Sequence, residues 1–362
     1  MSLIQTPYEY VNEPNLISKA GNYVKGLGRN ALIIGGKTAL SIGQNHIVES
    51  FKENDIKFSI KEFTGYPTKQ IISEFVKFGG EQKIDVVVGV GGGRVLDTTK
   101  AVGNKLNIPI VAIPTIAATC ASWAAVSIIY DEAGNQVDLF DSQKSANLIL
   151  ADTKILAEAP DRYLKAGIID TLAKWYESEP NLINHNDSLQ LKIQTEVAKL
   201  GFDILLEKSN KYFNSKDRKN NLNDFKQIID SIILIAGLVN SIKSDEFYGG
   251  LAHPFYNSTT QISETRNKLH GEKVAFGILT QLVLEEKPKE KLLETFNLFK
   301  NFGAPITLKE IGITNEIEEK VDFIAEDVSK RSAFYRGVTY ELTSEIIKKA
   351  IFEADSIGRE IS

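Results

Sequence analysis

The chain has one cysteine, Cys120, among its 362 residues. No disulfide can form within it and no thiolate cluster can hold zinc, so any metal falls to histidine, aspartate or glutamate. Histidine is scarce too, with only His46, His185, His253 and His270 present. No stretch reaches the apolar length of a membrane span, and the opening MSLIQTPYEYVNEP has neither a basic region nor an apolar core. Basic clusters are missing and the net charge is -5, which disfavours a nucleic-acid partner. These absences predict a soluble cytoplasmic protein that acts on small molecules, with no nucleic acid and no membrane among its partners.

What is present is organised around IDVVVGVGGGRVLDTTK, from Ile84 to Lys100. Ile84, Val86, Val87, Val88 and Val90 make a near-continuous β-branched run, as in a parallel strand covered on both faces. Gly89, Gly91, Gly92 and Gly93 follow at its end, where glycine lets a ligand approach the main chain. The helix that begins at Arg94 would aim its free amides and positive dipole end at that ligand, and a phosphate or pyrophosphate suits it. The pattern is neither G-x-G-x-x-G nor a P-loop. The competing reading is a bare strand-to-helix turn, which would not need so many glycines.

Upstream, Ala31–Ile34 reads as a first strand that ends in Gly35-Gly36, followed by a helix from Lys37 to Phe51. Lys57–Phe63 and Thr68–Phe78 read as a second strand and helix. Pro109–Ile113, Val126–Tyr130 and Asn147–Ala151 read as further strands, with a turn signal at Asp131–Asn135. Alternating elements of this kind imply a parallel sheet with right-handed crossovers. The first strand ends in Gly36 and Lys37 without a carboxylate for the adenosine ribose, which favours NADP(H) over NAD(H). Lys37 as a solvated first-turn residue is the alternative.

From Pro160 onward helical periodicity dominates, with stripes at Ile193, Val197, Leu200, Ile204 and at Ile228, Ile232, Ile235, Val239. The expected division is an α/β dinucleotide-binding domain over 1–158 and a helical domain over 159–362, with Asp161 capping the first helix of the second. His253 and His270 both fall in the helical part, and Asp170 lies in the apolar setting AGIIDTLAKWYES, where an unpaired carboxylate is costly. Two imidazoles and a carboxylate suit one divalent metal with an open coordination position. A histidine at a helix start is otherwise a cap or a satisfied surface group.

The blocks GVGGGRVLDTTKAV, IPTIAATCASWAAVSIIYDEAG, LKAGIIDTLAKWYES and LHGEKVAFGILTQLVLE resemble the iron-containing (group III) alcohol dehydrogenase superfamily. Within it they resemble the glycerol dehydrogenase group, over nearly the whole chain. The resemblance implies a Rossmann-like α/β N-terminal domain and an all-α C-terminal domain, the fold also used by dehydroquinate synthases. It implies an NAD(P)-dependent dehydrogenase with one divalent metal, Zn2+ or Fe2+, on Asp170, His253 and His270. The dinucleotide would be bound by Gly36, Lys37, Gly92, Gly93, Arg94 and Asp97, with Thr115, Thr119, Val126 and Tyr130 along its nicotinamide half. Relatives of this kind are commonly homo-oligomers.

Two departures bear on the substrate. Glycerol dehydrogenases carry a polyol-contacting aspartate at the position of Cys120, and a further histidine where this chain has Tyr256. The segments ATCASW and IDTLAKWYES instead resemble the hydroxycarboxylate dehydrogenase branch, whose members reduce 2-oxo acids. The expectation is therefore interconversion of a 2-oxo acid and a 2-hydroxy acid, with Cys120 and Trp123 lining the substrate pocket. A glycerol dehydrogenase that uses NAD is the alternative, and a dehydroquinate synthase-like lyase a more distant one. The cation for a substrate carboxylate is left open among Arg94, Arg266, Lys273, Arg331 and Arg336.

Overall fold

Six parallel strands form one sheet: β1 (Glu9–Glu13), β2 (Asn30–Gly36), β3 (Lys57–Phe63), β4 (Val86–Gly91), β5 (Ile110–Pro114) and β8 (Leu148–Asp152). Their order is β1-β8-β5-β4-β2-β3. The structure is a computed structural model that describes residues 3–142, 144–185, 187–218, 222–243, 249–331, 338 and 340–361.

β4 lies inside the sheet, and Val86, Val87, Val88 and Val90 are fully buried, as the β-branched run requires. β2 runs beside it in parallel, with Gly35 opposite Val90, so the two glycine-rich strand ends lie side by side. From β2 the chain passes through helix α1 (Lys37–Glu53) to β3 at one side. From β4 it passes through α3 (Gly93–Leu106) to β5 at the other. That divergence creates a crevice beyond the carboxyl ends of β2 and β4, the position where such sheets bind ligands. Between β3 and β4 runs α2 (Lys69–Glu81), whose cap Thr68 accepts a hydrogen bond from the Ile71 amide.

Among the strands that escape the sequence reading are β1 and Gln136–Asp141. β1 is a polar segment, EYVNE, that pairs in parallel with β8 at the sheet edge. The expected turn at Asp131–Asn135 joins β6 (Val126–Tyr130) to β7 (Gln136–Asp141) in a separate antiparallel hairpin. The strand QVDLFD lacks a buried face to announce it, since Val137 and Leu139 are exposed.

By compactness the chain divides into two units. One comprises Ile4–Leu164 and Ile204–Ser241, the other Met1–Leu3, Lys165–Asp203 and Ile242–Ser362. The expected division at 158/159 places Ile204–Ser241 with the helical part, whereas it belongs to the compact unit that holds the sheet. Tyr10 and Asn12 of β1 both donate to the Asp230 carboxylate, which ties this segment to the sheet edge. The unit that holds residues 165–203 and 242–362 has no part in the parallel sheet and contains most of α4 (Asp161–Ser178), α6 (Ala252–Thr259) and α7 (His270–Leu284). Asp161 stands in the first turn of α4, and the capping aspartate nearby is Asp152, on the short helix Thr153–Glu158.

The stripe Ile193, Val197, Leu200, Ile204 is not the buried face of its helix, α5 (Leu189–Asn214). Ile193 and Leu200 are exposed, while Leu191, Thr195, Ala198 and Leu205 are buried. The helix carries apolar residues on more than one face, and the face with Leu191, Thr195, Ala198 and Leu205 points inward. The second stripe, Ile228, Ile232, Ile235 and Val239, is buried as expected. Among the described residues no helix is long and apolar enough to cross a membrane.

Candidate active site

Asp170, Lys174 and Glu177 project from one face of α4, at the i, i+4, i+7 spacing that stacks side chains. Opposite them, α7 begins at His270. The His270 ring nitrogen Nε2 lies 2.9 Å from Asp170 Oδ1. This approach depends on Gly271, because a Cβ there would stand 2.0 Å from the Ala166 carbonyl oxygen of α4. A side chain at this position would push the helices apart and draw His270 away from Asp170. Gly277 does the same between α7 and α6, where a Cβ would meet the Ala252 backbone at 2.8 Å.

His253 enters from the first turn of α6, with its Nε2 3.4 Å from the same Asp170 oxygen. One donor atom from each of Asp170, His253 and His270 lies within 4.8 Å of the others, so the three residues expected as ligands do converge. Asp170 is buried, while both imidazoles stay partly open. Two imidazoles and a carboxylate, with one side left open, fit a zinc or ferrous ion.

Sequence reasoning missed the residues behind this set. Glu177, buried and seven positions after Asp170, accepts the His253 backbone amide at 3.0 Å and also bonds the ring nitrogen Nδ1. A carboxylate at Nδ1 fixes the proton there and leaves Nε2, the nitrogen nearer Asp170, as the donor to a metal. Lys174 brings its ammonium to 3.3 Å from His253 Nε2 and 4.0 Å from Asp170 Oδ1. The ring of Tyr256 packs edge-on against His270, centroids 4.1 Å apart, and carries the Lys273 ammonium 4.8 Å above its own face. The signal available in the sequence was the i, i+4, i+7 register of DTLAKWYE.

The electrostatics suit metal binding. Burial pushes the Asp170 carboxyl up, but Lys174 and His270, with hydrogen bonds from both histidines, hold it well below the usual carboxylate range. Burial likewise acts against the Glu177 carboxylate, and the His253 charge outweighs it, leaving Glu177 below its ordinary value. For His253 burial disfavours the charged ring, yet Glu177 and Asp170 reverse this and lift it above its ordinary value. For His270 burial prevails over the pull of Asp170 and lowers it. Burial thus favours the neutral, ligating form of His270, while Glu177 makes His253 hold its proton more firmly.

The candidate cofactor residues belong to the sheet unit. Gly92 caps α3, and a Cβ on it would stand 2.7 Å from the Ile116 side chain. Gly93 opens the helix, so the amides of its first turn face the crevice at the β2 and β4 ends. Gly36 caps α1, and Lys37 is its exposed first residue. The Arg94 guanidinium lies 4.1 Å above the Tyr66 ring, which in turn packs against Tyr130 with centroids 5.5 Å apart. The Thr115 amide donates to the Gly91 carbonyl, and the Thr119 hydroxyl accepts the Ala121 amide.

Asp97 is placed differently from the rest. Its carboxylate is buried, pairs with the Lys100 ammonium at 3.0 Å and accepts the Ile128 amide of β6 at 3.3 Å. Lys100, itself buried, also donates to the Ala124 and Val126 carbonyls. The pair holds β6, with Val126 and Tyr130, against α3, so the bonds seen at Asp97 serve that strand. Cys120 and Trp123 are buried too. Asn240 donates to the Cys120 sulfur, and the Trp123 indole donates to Ser241 and packs against Tyr10 and Gly237. These contacts give Trp123 a packing role inside the sheet unit.

Of the cations left open, Arg331 is bound at two nitrogens by Asp327, and Arg336 lies outside the described residues. Arg266 is exposed, and Lys273 is buried over Tyr256. Lys174 was not among them, yet it stands at the converged site.

The family model described as iron-containing alcohol dehydrogenase matches residues 7–153. The chain is 30% identical to glycerol dehydrogenase of Escherichia coli, over 99% of this chain and 97% of that protein. It is 32% identical to hydroxycarboxylate dehydrogenase A, also of Escherichia coli, over 71% of each. Among solved structures, a probable glycerol dehydrogenase from Sinorhizobium meliloti superposes with a TM-score of 0.87 at 25% identity, covering 99% of both chains.

Proposed function

This chain belongs to the iron-containing alcohol dehydrogenase family and is a metal-dependent oxidoreductase acting on alcohols; from that premise we propose that it interconverts a small 2-oxo acid and its 2-hydroxy acid with NADP(H). The observation that carries the reading is the convergence of Asp170, His253 and His270, backed by Glu177, in one set of helices. A divalent ion held there supplies Lewis acidity towards negative charge that develops on the substrate oxygen. Glu177 holds His253 in the ligating tautomer, and Gly271 holds His270 at the required distance. The first turn of α3, from Gly93, receives the cofactor diphosphate, with Gly92 keeping the approach open. Lys37 meets a 2′-phosphate at the neighbouring strand end.

Two features support the oxo acid over a polyol. Cys120 stands where the resemblance places an aspartate in glycerol dehydrogenases, so a carboxylate that would accept hydroxyls and repel an anion is gone. The chain also shares 32% identity with hydroxycarboxylate dehydrogenase A. Glycerol and dihydroxyacetone with NAD are the second reading, favoured by the near full-length match to a glycerol dehydrogenase.

Product analysis tests the proposal. Metal-loaded enzyme given NADPH and 2-oxobutanoate should form 2-hydroxybutanoate in step with NADPH consumed, and chelated enzyme should form none. NADPH left unconsumed with no 2-hydroxybutanoate formed, under conditions where dihydroxyacetone is reduced, would contradict it.

A further inference from the structure

We propose that α5 is a self-association surface, on which a second copy of this chain packs its own α5 antiparallel across a two-fold axis near Val197.

The surface contains most of the stripe that periodicity marks for burial. Leu189, Ile193 and Leu200 are 65%, 41% and 55% exposed, and Val197 between them is half-buried. Steps of four, four and three residues keep all four on one side of the helix, in the kind of row that a packed partner helix covers. Single exposed apolar side chains are ordinary on a protein surface. Four in one row, along about 16 Å of helix at 1.5 Å per residue, form a continuous ridge that gains by leaving water.

Beside the ridge runs a row of charge. Lys192, Glu196 and Lys199 each precede a member of the apolar row, and Asp203 continues the line one turn further. Lys192, Glu196 and Asp203 are exposed, and Lys199 is half-exposed. The signs run plus, minus, plus, minus, and that order selects the partner. Two copies laid antiparallel about a point near Val197 set Lys192 against Asp203 and Glu196 against Lys199. The same axis brings Ile193 of one copy towards Leu200 of the other and Val197 towards its own counterpart. Laid parallel, the copies would put like charge against like.

A two-fold contact needs a surface complementary to itself, in which residue i meets j and j meets i. A foreign partner would require no such symmetry in this row. Lys199 is also held in place before any docking, by Asp203 one turn on and by lying over the Trp175 and Phe202 rings at 5.5 and 5.7 Å. Less side-chain freedom is then lost when the second copy arrives.

The test reads mass in solution, by sedimentation velocity and light scattering on the full metal-loaded chain. Wild type should associate at protein concentrations of about 10 μM. Glu196→Lys sets cation against cation and Lys199→Glu sets anion against anion, each twice across the axis. Either alone should weaken association about tenfold or more. Mixed in equal amounts, the two variants should recover the wild-type mass, because each meets the opposite sign in the other. Damage to the fold could not be repaired by mixing. Leu200→Glu should also reduce the mass while circular dichroism stays that of the wild type. A monomeric wild type would overturn the inference. So would an assembly whose mass ignores all three substitutions, which would put the contact elsewhere, and so would loss in both charge variants without recovery on mixing.

Discussion

Glu177 grips His253 at two points, the backbone amide at the start of α6 and the ring nitrogen Nδ1. The backbone bond sets where the helix begins, and the ring bond sets which nitrogen is free. One buried carboxylate thus determines both the position and the tautomer of a candidate ligand.

Glu177→Gln keeps the shape but loses the charge, and the amide can present its NH2 to Nδ1. Supporting carboxylates of this kind are worth about 10- to 100-fold in metal affinity. Competition with a chromophoric chelator should show a loss of that size with the fold intact by circular dichroism. Unchanged affinity would leave Glu177 only its backbone bond.

Acid should displace the metal by way of His253. Its pKa in the metal-free protein is raised, with burial opposed and outweighed by Glu177. A raised group contributes stability below its unfolded pKa, about 6.5, and loses it as pH rises through the folded value. The metal requires the neutral ring, so its own stabilising effect runs the other way and grows as pH rises. At a hundredfold excess over Kd a metal stabilises by about 2.7 kcal/mol. The gap between loaded and chelated melting temperatures should widen from mildly acidic to mildly alkaline pH, and a constant gap would contradict the assignment.

Lys100→Met should destabilise the protein strongly. Burial pushes the Asp97 carboxyl up, and the Lys100 charge works against that. Without the ammonium a buried carboxylate and the Ala124 and Val126 carbonyls lose their partner, at a cost of about 3–5 kcal/mol. Urea unfolding measures this directly. Asp97→Asn combined with Lys100→Met should cost less than the sum of the single changes, because the second removes a charge that the first strands.

Much of this was legible in the residues. The valine run of β4 and the glycines after it mark a buried parallel strand and a tight turn into a helix, and the structure has both. β1 and β7 were not legible because they are short and polar or lack a buried face. α5 misled because it carries apolar residues on more than one face, and its buried face includes the small or polar Thr195 and Ala198. The compact unit around the sheet reclaims Ile204–Ser241, a long-range choice that no local pattern encodes. At the site, histidine scarcity and the oddly placed Asp170 led to the converging triad. Glu177 and Lys174 were overlooked because charged residues in a helix ordinarily face water, and only the packing of α6 and α7 against α4 brings them into a site.

The central claim is a preference, and steady-state kinetics measure it most directly. With metal-loaded enzyme at near-neutral pH, kcat/KM should be determined for 2-oxobutanoate with NADPH and for dihydroxyacetone with NADH. The account predicts that the oxo acid with NADPH is the better pair, in keeping with Cys120 and Lys37. Faster turnover of dihydroxyacetone with NADH would contradict it and make the protein a polyol dehydrogenase.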